Sequence, residues 1–214
     1  MMTVLERIKK HRMIGILRGY DTGDALKIAR ALEESGFNVI EVALNSPNAK
    51  ETVKAIKDEI GDRIVLGAGT VLNTEDAGDC IDAGAEFLLS PVYSKEVLDF
   101  ASDKDVLYIP GCYTPTEIYN AHAAGAGMIK VFPAGGLGAG YIKDVLAPMN
   151  ELVLLPTGGV TPDNINGFLD AGAAALGISS ALVPKGEVDG SLLGDIRTRA
   201  TKFREALEHE DQKL

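Results

Sequence analysis

A lysine and a glutamate stand in this chain where charged residues are seldom found. Lys130 lies in the run Met128-Ile129-Lys130-Val131-Phe132, bounded by Gly127 and Pro133. Glu41 lies between Val39-Ile40 and Val42-Ala43. Short apolar runs of this kind read as buried strands, and Lys and Glu are almost never fully buried unless paired. Desolvation lowers a lysine pKa and makes the neutral amine available as a nucleophile toward carbonyls. A carboxyl group beside it can carry protons in the same reaction. The competing reading is structural: a lysine that snorkels from a strand end, or a buried ion pair. Such a pair adds little net stability after desolvation, which favours chemistry.

The elements that must position these two residues alternate along the chain. A short amphipathic helix (3–10) comes first. Strands are expected at 13–17, 38–44, 64–69, 86–90, 106–109, around Lys130, at 152–155 and at 173–178. Helices are expected at 22–35, 48–60, 74–83, 94–102, 114–124, 140–147, 161–171 and 191–208, with Thr74 and Ser94 as N-caps and a fraying polar tail. Glu34-Ser35-Gly36-Phe37, Asp82-Ala83-Gly84-Ala85, Ala123-Ala124-Gly125-Ala126 and Asp170-Ala171-Gly172-Ala173 each close a helix just before a strand. Glycine at the helix C-terminus explains each one locally; their recurrence points to one repeated βα unit. The strands are continuous apolar runs, as parallel strands covered by helices should be. The spacing predicts a (β/α)8 TIM barrel with a short N-terminal helix, in a single domain over 1–214. A doubly wound open sheet is the alternative, but no Gly-x-Gly-x-x-Gly fingerprint follows strand one.

Active sites of such barrels lie at the C-terminal strand ends. There the chain carries Arg18, Glu41 followed by Asn45-Ser46-Pro47, Gly69-Thr70, Ser90-Pro91, Pro110-Gly111, Lys130 with Phe132-Pro133, Thr157-Gly158-Gly159, and Gly177 with Ser179-Ser180. Side chains alternate across a strand. If Ile40, Val42, Ile129 and Val131 face the helices, Glu41 and Lys130 face inward and meet in one layer. Arg18, Asn45, Thr70, Pro91 and Phe132 stand beside them as further strand-end candidates. Loops after strands seven and eight often bind phosphate in these barrels. Gly158 and Gly159 would let backbone N–H groups approach the oxygens, and Ser179 and Ser180 would add donors. Turn geometry alone is the bland account of the paired glycines.

Composition narrows the classes. A content of 46% apolar and 24% charged residues is ordinary for a soluble globular chain. The net charge of −10 argues against nucleic acid and anionic membranes as partners. Neither a signal-peptide pattern nor an apolar run of ~18 residues is present, so a cytoplasmic protein is expected. Cys80 and Cys112 lack ligand spacing, and His11, His122 and His209 stand at no strand end. No metal site and no Ser-His-Asp system is therefore expected.

The segments Ile16-Leu17-Arg18-Gly19, Ile40-Glu41-Val42-Ala43-Leu44-Asn45-Ser46-Pro47, Gly67-Ala68-Gly69-Thr70-Val71-Leu72, Ser90-Pro91, Ile109-Pro110-Gly111, Lys130-Val131-Phe132-Pro133-Ala134, Tyr141-Ile142-Lys143 and Thr157-Gly158-Gly159-Val160 form a specific set. With them the chain resembles, nearly end to end, the class I aldolases that split 2-keto-3-deoxy-6-phosphogluconate and its phosphogalactonate epimer. The resemblance implies that Lys130 forms a Schiff base and that Glu41 is the general acid/base. It implies that Arg18 and Thr70 meet the keto-acid end, and that Gly158, Gly159, Ser179 and Ser180 hold phosphate. It further implies pyruvate as product, no metal or organic cofactor, and a homotrimer. Many phosphogluconate enzymes carry arginine four residues after the glutamate. Asn45-Ser46-Pro47 is closer to the phosphogalactonate branch, whereas Pro133-Ala134 is common on the phosphogluconate side. The alternatives are a sugar-phosphate epimerase or isomerase, or a non-catalytic sugar-phosphate binding protein.

Overall fold

In the computed structural model, which describes residues 2–211, the chain opens on a helix, α1 (Val4–His11), closed by a capping box. Thr3 Oγ1 accepts from the Glu6 N–H at 3.2 Å, and the Glu6 carboxylate accepts from the Thr3 N–H at 2.7 Å. Strands β1 (Met13–Leu17), β2 (Val39–Ala43), β3 (Val65–Gly69), β4 (Phe87–Leu89) and β5 (Leu107–Ile109) alternate with α2 (Thr22–Glu34), α3 (Ala49–Ile60), α4 (Thr74–Asp82) and α5 (Lys95–Asp103). Beyond Pro110 come β6 (Gly111–Cys112), α6 (Pro115–Ala123), β7 (Ile129–Val131), α7 (Gly138–Leu146), β8 (Leu154–Pro156), α8 (Ile165–Asp170), β9 (Leu176–Ile178) and α9 (Gly190–Asp211).

All strand pairs among the described residues are parallel. Six strands curl in the order β5-β4-β3-β2-β1-β9, and three more pair as β6-β7-β8. The result is an α/β fold with a parallel, half-barrel sheet. Where eight strands are expected from the sequence, nine segments occur among the described residues: the fifth ends at Ile109, and a short unexpected strand, β6, follows Pro110. Proline has no N–H to give the ladder. Its carbonyl still accepts from the Lys130 N–H at 2.9 Å, so the chain passes from one sheet to the other without losing that bond. On the opposite side the sheets touch again, where Thr157 pairs with Gly177 and the Ala174 N–H donates to the Leu154 carbonyl at 2.9 Å.

Strand alternation sorts the core into two parts. Ile14, Val39, Val65, Phe87, Met128 and Leu155 pack together inside the curl, with Ile8 of α1 plugging one end. Ile40, Val42, Leu66, Leu88, Ile129 and Val131 pack outward against the helices. Glu41 therefore shares the inward face with Val39, and Lys130 shares it with Met128, as the alternation predicts.

Several boundaries move for local reasons. The cap of α4 is Asn73, which accepts from the Asp76 N–H at 2.8 Å, one residue before the expected Thr74. Ser94 caps α5 as expected, accepting from the Val97 N–H. The helix expected from Thr161 begins only at Ile165, because 161–164 form a turn in which Asn164 Oδ1 accepts from the Thr161 N–H at 2.8 Å. The end of the expected fraying tail, 212–214, lies outside the described residues. No helix among the described residues is long and apolar enough to cross a membrane.

Inside the curl, the Phe87 ring occupies the space above Gly67, where any added Cβ would collide with it. Gly67→Ala is therefore expected to cost about 1–3 kcal/mol by overpacking, read as a lower urea midpoint. Combining it with Phe87→Leu should recover part of that loss. An unchanged midpoint for the single variant would show that the interior is not packed this tightly.

Candidate active site

The inward positions at the C-terminal strand ends alternate between large groups and glycine. Glu41 pairs in register with Gly67 on β3, and Lys130 pairs with Gly111 on β6. The next inward position of β3, Gly69, lies directly under Glu41, where a Cβ would overlap its carboxylate. Only glycine at that position leaves the carboxylate room to lie flat against the strand. Gly177 gives Thr157 the same room on the far side.

Glu41 is 0% exposed, and neither of its oxygens has a hydrogen-bond partner among the described residues. Buried polar groups are nearly always satisfied, so this carboxyl group is held in a costly state. Burial pushes it above the ordinary carboxylate range, against the opposing pull of the Lys130 and Arg18 charges. Lys130 is 3% exposed, with Nζ 4.7 Å from the centre of the Phe132 ring. Burial pushes this amine below its usual value of 10.5; the Glu41 charge holds it up, and the Arg18 charge pushes it down further. Desolvation exceeds mutual attraction for both groups, and each is biased toward its neutral form. An amine and a carboxyl group biased in this way can attack a carbonyl and exchange protons with it.

Thr70, the residue after β3, has φ +62°. A β-branched residue in the left-handed region is an outlier that costs about 1–3 kcal/mol, and such strain concentrates at functional sites. Arg18 is exposed at the end of β1, on the rim of a cavity of about 520 Å³ that also meets Pro47 and Lys185. Gly158 (φ +87°) and Gly159 (φ +76°) turn consecutive backbone groups into a smaller cavity of about 240 Å³, lined also by Thr161, Gly177, Ser179 and Ser180.

The expected residues fall into groups. Glu41, Lys130, Arg18 and Phe132 act on one another electrostatically or by contact. Gly158, Gly159, Ser179 and Ser180 share one cavity. Pro91 packs its backbone against Gly111, the cross-strand partner of Lys130. Asn45 is exposed on the turn after β2, apart from the buried pair. Sequence reasoning missed Asn164, whose Nδ2 donates to the Gly159 carbonyl at 2.8 Å and pins the glycine turn. An asparagine just before a helix is a capping signal, but its partner here lies five residues upstream. Among the described residues, no group of three or more His, Cys, Asp or Glu could hold a metal ion.

Comparison with known proteins identifies the lineage. The family described as "Aldolase: KDPG and KHG aldolase" matches residues 4–197. The chain belongs to this aldolase family. It is 36% identical over 176 residues to the 2-dehydro-3-deoxy-6-phosphogalactonate aldolase of Escherichia coli (strain K12), covering 82% of this chain and 86% of that one. A solved structure described as native KDPGal superposes with a TM-score of 0.87 at 33% identity, covering 94% of this chain and 96% of that one. The KDPG aldolase of Legionella pneumophila, solved with pyruvate captured at low pH as a covalent carbinolamine intermediate, superposes with a TM-score of 0.82 at 27% identity, covering 89% and 92% of the two chains.

The opposed influences on Lys130 give a signed expectation. In 13C NMR of ε-labelled lysines, one resonance should titrate below the ordinary 10.5, and Glu41→Gln should move it lower still, because the charge that holds the amine protonated is gone. A shift upward in the variant would contradict the arrangement.

Proposed function

We propose that this aldolase is of class I and cleaves a 2-keto-3-deoxy-6-phosphosugar acid, of the phosphogluconate or phosphogalactonate type, to pyruvate and glyceraldehyde 3-phosphate. The observation that carries this reading is the desolvated Lys130 amine opposite the desolvated, unpartnered Glu41 carboxyl group. The carbinolamine trapped in the Legionella relative supports it. Neutral Lys130 attacks the C2 ketone, and protonated Glu41 gives its proton to the departing water, which leaves an iminium and the Glu41 carboxylate. Glu41 takes the proton of the C4 hydroxyl as the C3–C4 electron pair moves toward the iminium nitrogen. Glyceraldehyde 3-phosphate departs and leaves the pyruvate enamine. Glu41 returns the proton to C3, and water then adds to the iminium, frees pyruvate and the neutral amine, and leaves its proton on Glu41. The chemistry calls on no metal or organic cofactor.

Arg18 and Thr70 meet the keto-acid end in this reading, with Asn45, Pro91 and Phe132 as further substrate contacts. Gly158, Gly159, Ser179 and Ser180 hold the phosphate, which anchors a non-reacting part of the substrate and so orients the reacting carbons. We infer also that the two sheets close as one (β/α)8 barrel in a single domain over 1–214. The bond across Pro110, the Thr157–Gly177 pairing and the shared outer core support closure. A phosphorylated substrate does not cross lipid, which favours action in the cytoplasm.

Incubation with pyruvate and sodium borohydride should leave a reduced adduct on Lys130, located by peptide mass spectrometry. Lys130→Ala should lose turnover by on the order of 10⁴-fold or more. An adduct elsewhere, or retained turnover in the variant, would overturn the reading. Leu72 (53% exposed), Val92 (51%) and Tyr113 (45%) stand on the loops after β3, β4 and β6 as exposed apolar residues along one side of the mouth. They favour burial against further copies in a homotrimer. Sedimentation equilibrium should then give three times the 22.6 kDa chain mass; a monomer at micromolar concentration would exclude it.

A further inference from the structure

Two loops meet beside the buried pair. After β2 the chain turns sharply, the Ser46 N–H donating to the Ala43 carbonyl at 3.0 Å, two residues beyond Glu41. The turn brings the Ser46 hydroxyl against the neighbouring loop after β1, where its oxygen accepts from the Gly19 N–H at 2.8 Å. Gly19 has φ +84°, and a Cβ built there would meet nothing within 4 Å. Glycine is required by that backbone conformation and not by crowding. The next residue, Tyr20, is buried and donates its hydroxyl to the Pro184 carbonyl on the loop after β9. The segment Arg18-Gly19-Tyr20 is thus held from both sides. Leu17 is fixed in the ladder opposite Val42. Between that rung and Tyr20, the tie on the Gly19 N–H is the one supplied by Ser46.

Arg18 needs such a tie. It is exposed, yet its charge acts on both Glu41 and Lys130. A long exposed side chain loses substantial rotamer entropy when fixed, and a site loses precision when the backbone beneath it is free. Asn45, in the turn that carries Ser46, brings no cation of its own. The turn after β2 contributes instead the acceptor that fixes the backbone beside a cation at the end of the neighbouring β1.

We propose that Ser46 is a positioning residue, which holds the Gly19 amide and thereby aims Arg18 at the carboxylate end of the keto-acid substrate. This rests on the reading of Arg18 given under the proposed function. The hydroxyl also couples the strand of Glu41 to the loop of Arg18, so that acid and cation keep a fixed relation as substrate enters. Ser46 does not touch the reacting atoms.

A double-mutant cycle tests this. Ser46→Ala should raise KM for the phosphorylated keto acid roughly five- to tenfold with kcat little changed, the scale of a displaced binding contact. Ser46→Thr, which keeps the hydroxyl, should restore KM. In an Arg18→Ala background, Ser46→Ala should add no further loss, because residues acting through one another are not additive. Equal thermal midpoints would show that each variant is folded; if Ser46→Ala is not, Ser46→Cys removes the strong acceptor while keeping the volume. Additive losses, or an unchanged KM in Ser46→Ala beside a crippled Arg18→Ala, would overturn the inference alone. An unimpaired Arg18→Ala enzyme would overturn both the inference and the reading of Arg18. Borohydride trapping of pyruvate on Lys130 in the same variants separates either failure from a failure of the imine chemistry.

Discussion

An acid and a base are buried together here, and no ion pair between them is formed among the described residues. Glu41 has no hydrogen-bond partner for either oxygen among the described residues, and Lys130 rests against an aromatic ring. A pair selected for stability would be closed by hydrogen bonds, since only good geometry offsets the desolvation of two ions. This pair is left open, with its members displaced toward their neutral forms. The rest of the fold supplies what the pair withholds. Two hydrophobic layers, one inside the curl and one beneath the helices, hold the strands in register around an unfavourable centre.

Space at that centre is provided by missing side chains. Gly69 admits the Glu41 carboxylate, Gly67 admits the Phe87 ring, Gly111 lies opposite Lys130, and Gly177 admits Thr157. A strand interior normally disfavours glycine. Here each inward glycine converts the width of one side chain into room for a neighbour. Loop strain has a similar logic: Thr70 is kept in the left-handed region and Asn164 fixes the Gly158–Gly159 turn, both at strand ends. Local cost is concentrated on the face where the chemistry is proposed.

The alternation of Val39-Ile40-Glu41-Val42 and Met128-Ile129-Lys130-Val131 makes the inward direction of the key pair legible from residue order alone, because the period of a strand leaves only two choices. The order of strands and helices is legible for the same reason. What the sequence hides depends on competition between adjacent groups or on partners distant in the chain. Asn73 and Thr74 can both cap α4, and only the backbone path decides for Asn73. Pro110 reads as a strand end, yet its carbonyl continues the ladder to Lys130. The bond from Gly19 to Ser46 joins residues 27 apart and leaves no local signature. Arg18 and the 158–159 and 179–180 groups are legible as strand-end residues; the tie that fixes each is not.

The break at Pro110 divides the backbone ladder into two panels. Among the described residues, the three-stranded sheet that carries Lys130 meets the rest through the Pro110 carbonyl and the Gly111–Val92 bond on one side and, on the other, through the isolated Thr157–Gly177 bridge and the Ala174–Leu154 bond. Lys130 and Glu41 therefore belong to different sheets, divided by two seams. Side chains bridge both seams, because the inner and the outer core each contain residues of the two panels, so the gap between amine and carboxyl group is set by packing rather than by ladder bonds.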